Sequence, residues 1–543
     1  MGYYISKKKV RGRTYYYAQR NVWTSKGSRV AEQIYLGNAE MIVNMFKDGK
    51  NQVSLKTYRF GRIAALLAAA EDLHLKEIVQ NEIVKTKGYR FEELMLLVPT
   101  GKFEHRTSKR DIVEWYGTSF MAYYFSLPKT LSTESIYRMM DQFDDTDQER
   151  IGDALAKRFM ELGIKPSMIV FDTTNFATNI ECGDELPQKG KSKEGRDEQN
   201  LVGLALAVTK ENIPFLWDTY AGNRNDAKVF PDLVHAIVKR LRGLMVNTKD
   251  IILVFDRGNN SAENIGLVLG DMHVIGGVKR NQAPALYDIP LDTMEFLYET
   301  SKNNKVFGYK IRQILFGREF TCVVTYNEAS YRQQLHGFEK QKQKILKQLA
   351  LIDKSLIRTG KGRKLTITGA VRKAHDAIPR NLRSLVAIQT DDGKFSWKWN
   401  NSKEKKLRNI FGKQVLFTDL HTWSTKDITL AYNRKNIIES DFKLMRNALV
   451  FPIPPIGHRK DHRINSHVFL CLLGVVFYRY VLWKIRDLGV SEEEFLNAMD
   501  DIQVSLVSDG KKHRAYWVVN QMNVVQASIF TTLNMGRFLP KNR

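Results

Sequence analysis

Three carboxylates stand where cleavage of a phosphodiester would need them. Asp172 closes the apolar run Met168–Phe171, and Asp256 closes the run Ile251–Phe255. Short apolar runs of this kind predict buried strands, so each aspartate emerges at a strand end. Glu439 lies in the stretch Tyr432–Arg446, which has helical spacing and no breaker, so the third carboxylate comes from a helix. Oxygen ligands select hard ions such as Mg2+ or Mn2+. Two such ions about 3.5–4 Å apart can activate water or a terminal 3′-hydroxyl and neutralise the leaving oxygen.

An aspartate after a strand is ordinarily a turn-former or a helix cap, so the context matters. After Asp256, Asn260 or Ser261 already supplies the cap of the next helix, which leaves the carboxylate for another task. Thr173, Thr174 and Asn175 follow Asp172 as polar neighbours able to support a bound ion. Tyr432, Lys435, Glu439 and Arg446 fall on one helical stripe, and Ile438, Phe442, Met445 and Leu449 on an apolar stripe beside it. That predicts a half-buried helix presenting a carboxylate, two cations and a phenol, with Lys435 and Arg446 holding phosphates. The plainer alternative is a surface helix with a Lys435–Glu439 pair worth about 0.3–0.5 kcal/mol. Asp419 closes a third strand-like run and is a rival ligand, although its position suggests a turn. His458, His462 and His467 lack a matching cysteine or acidic set for zinc, and Arg459 and Arg463 beside them read as phosphate contacts.

These residues need a scaffold. Residues 164–282 read as three strands, then helix, strand, helix and strand, the order expected of an α/β, RNase H-like mixed sheet flanked by helices. Glu439 lies 183 positions past Asp256, so the core is interrupted by a large insertion at 283–412, first β-rich and then helical, before it resumes at 413–490. Within the insertion, Leu335, Phe338, Ile345, Leu349, Ile352 and Leu356 form a seam broken by Lys342, predicting an intramolecular helical hairpin. Trp397 and Trp399 share a strand face, suited to burial or to stacking on an unpaired base. Residues 1–50 read as a small antiparallel meander of aromatic and basic residues, able either to pack or to grip DNA. Residues 51–163 read as a helical, DNA-end-binding region, and 491–543 as a C-terminal region.

With 84 Lys and Arg against 59 Asp and Glu, the net charge is +25. An excess spread along the chain rather than confined to one tail favours a large polyanion-binding surface, with nucleic acid ahead of an acidic membrane. Three scattered cysteines imply neither a disulfide framework nor a zinc site, and fit a reducing cytosol. The start lacks the apolar core of a signal peptide. The apolar stretch Val468–Phe477 is too short for a bilayer and reads as a buried helix.

Tyr432, Lys435, Glu439 and Arg446, with two, three and six residues between them, resemble the Tyr-Arg-Glu-Lys signature of insertion-sequence DDE transposases of the IS-four-like superfamily. Both basic positions are exchanged, which keeps charge but alters phosphate geometry. Further fragments resemble the same group: Thr107–Arg110 with Trp115, Tyr137–Asp141, Phe171–Thr174, Gly190–Lys193 through Arg196–Asp197, Gly222–Asn223 with Asp226, Asp256–Gly258 and Arg463–His467. The resemblance implies an RNase H-like core with Asp172, Asp256 and Glu439 as ligands of two Mg2+ or Mn2+ ions. Tyr432, Lys435, Arg446, Arg257, Lys193 and Arg196 would contact DNA. It further implies a homodimer that pairs terminal inverted repeats of double-stranded DNA, cuts them and joins them to target DNA, in the cytoplasm and away from membranes. A stand-alone RNase H-like nuclease and a catalytically dead, transposase-derived DNA-binding protein are the alternatives.

Overall fold

The protein is described by a computed structural model covering residues 3–10, 12–24, 27–47, 53–83, 88–181, 183–357, 365–391, 394–447, 450–509 and 515–540. The basic run 361–364, Cys182 and Leu449 lie outside these residues. The chain divides into two compact units: 1–165, 173–224 and 437–543 form one, and 166–172 with 225–436 form the other.

The first unit opens with the expected meander, β1 (Tyr4–Val10), β2 (Arg13–Thr24) and β3 (Gly27–Asn38), paired antiparallel in that order. A helix Ala39–Lys47 and a strand β4 (Val53–Arg59) follow. The expected helical region is present, including Gly61–Asp72, Phe91–Phe103, Lys109–Thr118 and Asp145–Glu161. β5 (Met168–Thr178) crosses between the units, and its second half belongs here. The unit continues with β6 (Gln188–Lys189), β7 (Asn200–Thr209) and β8 (Pro214–Ala221), with β6 and β8 both antiparallel to β7. Close backbone approach shapes this corner. A Cβ on Gly190 would lie 2.0 Å from Gly222 O, so neither a side chain nor a wider turn fits there.

The second unit holds the first half of β5, then β9 (Ile252–Phe255), β10 (His273–Gly277), β11 (Glu295–Glu299), β12 (Lys305–Leu315), β13 (Arg318–Asn327), β14 (Val386–Asp391), β15 (Lys394–Trp399) and β16 (Lys413–Thr418). β5, β9 and β10 are parallel, as the intervening helices Asp226–Gly243 and Ala262–Asp271 require. β16 joins β10 antiparallel on one side and β13 on the other. The β-rich part of the insertion is therefore an extension of the core sheet in the order β16–β13–β12–β11. Its helical part is separate: the helix Glu328–Ile357 buries Phe338, Ile345, Leu349 and Ile352 against Ala370 and Ala374 of the helix Ile367–Ala377. Lys342, which breaks the seam, pairs with Glu404 at 2.7 Å.

Back in the first unit, β17 (Gln503–Asp509) lies between β4 and β18 (Ala515–Val519), so the two ends of the chain share a sheet. The helix Asp461–Lys484 is long and apolar enough to cross a membrane by length and composition, yet 89% of its most apolar window is buried inside the fold. It meets the helices Gly61–Asp72, Phe91–Phe103 and Thr133–Asp141.

Three of the family-like fragments meet around this helix. Arg463 donates to both oxygens of Asp141 at 2.5 and 2.6 Å, His462 lies 3.0 Å from the same carboxylate, and Lys109 Nζ lies 2.5 Å from His467 Nδ1. Arg463 is thus committed to Asp141, against its reading as a phosphate contact. Its bonds hold the Asp141 carboxyl far below the usual range.

Candidate active site

The pairing of β5 with β9 ends where Phe171 sits beside Phe255. The next residue on each strand is an aspartate, so Asp172 and Asp256 leave adjacent parallel strands together, at the carboxyl edge where open α/β sheets place their ligands. Both are half-buried. Phe230 packs 5.3 and 4.9 Å from the rings of Phe171 and Phe255, fixing the strand pair from one face. β5 does not stop at Asp172 as the apolar run suggests; it continues to Thr178.

Two side chains and the Arg257 N–H donate to the Asp256 carboxylate. Tyr432 Oη and Lys435 Nζ each donate to Asp256 Oδ1 at 3.0 Å, and the ammonium also lies 5.0 Å from the Tyr432 ring centroid. Burial pushes the Asp256 carboxyl upward, but the Lys435 charge and the bonds it receives outweigh this and hold it below the usual range. Burial, followed by the Asp256 charge, raises the Tyr432 phenol far above its ordinary value, so it stays a donor. Gly277 makes room for this contact. A Cβ there would stand 2.6 Å from Tyr432 Oη and 3.3 Å from Arg257 Cβ.

The single helix expected over Tyr432–Arg446 is two helices, Thr425–Asn433 and Lys435–Leu444. They meet at Arg434, whose N–H bonds Ala431 O at 3.2 Å, three residues back instead of four. Arg446 lies past the second helix, so the four-residue stripe is not continuous. Lys435 and Glu439 remain one turn apart. Glu439 is exposed on the second of these helices. Ile438, Phe442 and Met445 are buried, as their apolar stripe predicts.

The remaining predicted DNA contacts have internal partners or open positions. Lys193 Nζ donates to Thr173 O at 2.6 Å and to Thr173 Oγ1 at 2.9 Å. Arg446 Nε donates to Glu194 at 2.6 Å, its guanidinium also bonds the Thr174 hydroxyl, and it lies 5.6 Å from the Phe176 ring. Thr173 and Thr174 thus hold these basic side chains along the second half of β5. Glu194 was not legible as a functional residue; its signal is an acid set among Lys191, Lys193 and Arg196. Arg196 is exposed, 3.9 Å from Glu194, and Arg257 is exposed on the turn Arg257–Asn259. Ser261 caps the next helix through the N–H of Asn264 at 3.1 Å.

The rivals are structural. Asp419 accepts from His273 Nδ1 at 2.7 Å and from the Val274 N–H at 2.8 Å, tying the end of β16 to the start of β10. Trp397 and Trp399 pack against the helical part of the insertion, with Trp397 Nε1 donating to Asp353 at 2.8 Å.

Among the described residues, no group of three or more His, Cys, Asp or Glu side chains is gathered closely enough to hold a metal ion. The pair Asp172 and Asp256 nevertheless offers an oxygen-only donor set suited to a hard divalent ion. No curated protein matches the chain. The model of the transposase DDE domain family matches residues 165–473, more than half of the chain, a span that takes in the paired aspartates, their Tyr432 and Lys435 partners and Glu439. By that match the chain belongs to the family of transposase DDE domains.

Proposed function

We propose that this chain is a DNA transposase that binds the terminal inverted repeats of an insertion sequence, cleaves them with two divalent metal ions and joins the freed ends to target DNA. The observation that carries this reading is the placement of Asp172 and Asp256 at the ends of neighbouring parallel strands, with Tyr432 and Lys435 already on Asp256. The order β5, β7, β8, helix, β9, helix, β10 supports an RNase H-like core. Asp172 and Asp256, with Glu439 as third ligand, would hold Mg2+ or Mn2+. When bound, the ions supply charge neutralisation and an activated oxygen nucleophile. Lys435 and Arg446 hold phosphates flanking the cut, and Arg257, Lys193 and Arg196 extend that grip along the backbone. The active species is a homodimer on paired ends, at work on DNA in the cytoplasm.

The test is a strand-transfer assay with duplexes taken from the two boundaries of the DNA segment that carries the gene. With Mg2+ the chain is expected to nick these ends and join the freed 3′-hydroxyls to a target plasmid. Cleavage without joining would point to a stand-alone nuclease, and binding without cleavage to a dead derivative.

Gly277→Ala probes the geometry separately. The added methyl forces the Tyr432 hydroxyl off Asp256, and a displacement near 1 Å can cost about 10²-fold in rate. End cleavage should fall by about tenfold to a hundredfold with DNA affinity unchanged. Wild-type cleavage rates would show that the Tyr432 contact has no role.

A further inference from the structure

The positive excess is uneven, although it is spread over more than one part of the chain. Residues 1–60 hold 12 Lys and Arg against 3 Asp and Glu, and residues 328–411 hold 20 against 7, whereas the rest of the chain has 52 against 49. Eight of the first group's cations and one of its acids lie between residues 4 and 38, the span of β1–β3, a sheet with almost no inside. Among its described residues only Gly37 is buried. A small antiparallel sheet gains stability from an apolar face packed on something, and this one offers two faces of different character.

Cross-strand register sorts them, because directly paired residues share a face. Ser6 pairs with Tyr17, Tyr4 with Gln19, and Gln19 with Gln33. At the opposite face Arg20 pairs with Glu32, and Gly37 meets Met41 of the following helix. On the first face the side chains form a polar ladder. Lys8 Nζ donates to Gln33 Oε1 at 3.2 Å, Gln33 Nε2 to Gln19 Oε1 at 3.3 Å, and Gln19 Nε2 to Asn21 Oδ1 at 3.3 Å. Tyr17 and Tyr35 border it, 5.4 Å apart, with Lys8 5.2 Å from the Tyr17 ring.

We propose that this face enters the major groove of double-stranded DNA and reads base edges, making the N-terminal sheet the element that recognises DNA sequence. The inference rests on the reading of the chain as a transposase acting at defined DNA ends. Amide side chains pair bidentately with adenine, and lysine with guanine, in a groove about 12 Å wide. Three strands span two spacings of about 4.8 Å each, close to that width, and sheets are an established form of groove reader. The excess of eight Lys and Arg over one Glu between residues 4 and 38 supplies the sequence-independent attraction to phosphate. The competing account, that the ladder only stabilises the sheet, predicts an effect on folding and none on which bases are chosen.

The experiment is selection of duplexes by the full chain from a random-sequence library, followed by affinity for the enriched and a scrambled duplex. The wild type should enrich one motif. Gln19→Ala with Gln33→Ala should lower preference for that motif at least about tenfold while leaving affinity for the scrambled duplex within about threefold. Gln19→Glu guards against misfolding as an explanation. A carboxylate accepts from cytosine N4, so one selected position should change to cytosine. An unchanged motif in both variants, no motif from the wild type, or preferential capture of single-stranded RNA would each overturn the proposal. Wild-type protein that cleaves and joins DNA ends, while Gln19→Glu selects the original motif, would sink this inference and leave the transposase reading standing. Wild-type protein that neither binds duplex DNA nor cleaves it would sink both.

Discussion

Asp256→Asn should abolish magnesium-dependent cleavage of DNA ends, by about 10³-fold or more, with little loss of folding or DNA binding. Asp256 stands beside Asp172 on the paired strands and is held ionised by Lys435. The amide keeps the shape and can still accept from Tyr432, so the local packing survives. What it removes is the negative charge a divalent ion needs, and metal stabilisation of phosphoryl transfer is worth several kcal/mol, at 1.36 kcal/mol per tenfold in rate. Removing a carboxylate from a DNA-binding surface leaves affinity for the polyanion unchanged or slightly higher. Single-turnover cleavage in Mg2+, alongside binding measured in the presence of chelator, checks both halves. Glu439→Gln should behave in the same way. Cleavage by Asp256→Asn within tenfold of wild type would remove Asp256 from the catalytic set.

Arg479→Met should destabilise the protein by about 3–5 kcal/mol. Arg479 is 4% exposed and donates to Asp441 Oδ1 at 2.7 Å, to Ser440 Oγ at 2.8 Å and to Glu492 Oε1 at 2.5 Å. Asp441 is fully buried, two residues beyond Glu439 on the same helix. Burial pushes its carboxyl up to about 6, with Arg479 pulling the other way. Deleting one partner of a buried ion pair leaves the other charge uncompensated, which typically costs 3–5 kcal/mol. The sign with pH follows from the raised carboxyl. The folded state binds the Asp441 proton more tightly than the unfolded chain, so this group's contribution is present at low pH and is lost as pH rises from about 4 towards 6. Without Arg479 the loss should be steeper and should extend to higher pH. Urea unfolding at pH 5 and pH 7.5 measures both effects, and a change below 1 kcal/mol at pH 7.5 would show that the pair does not anchor the Glu439 helix.

Local pattern carried much of this protein. The apolar runs ending at Asp172 and Asp256, the strand and helix order from β5 to β10, the Ser261 cap, the seam of the helix Glu328–Ile357 and the buried apolar helix were all legible. Each depends on which side chains turn inward along a few residues, and that periodicity is written in consecutive positions. The break at Arg434 was not legible, because nothing in Tyr432–Lys435 departs from helical composition. Nor was the Arg446–Glu194 pair, whose partners are 252 positions apart.

By itself the sequence determined the chemistry on offer: acidic residues at two strand ends and on a helix, basic residues at set distances from one of them, and a strong positive charge. Only the tertiary structure decided how these were used. It set Asp172 beside Asp256 through strand pairing, gave Asp256 to both Tyr432 and Lys435, spent Arg463 on Asp141, and let Gly277 leave space for a phenol. It also paired β4 with β17 across almost the whole chain and extended the core sheet with β11–β13. The physical reason is the same in each case. Secondary structure follows from local burial, whereas the choice of partner is a comparison between distant surfaces whose complementarity exists only once the chain has closed on itself.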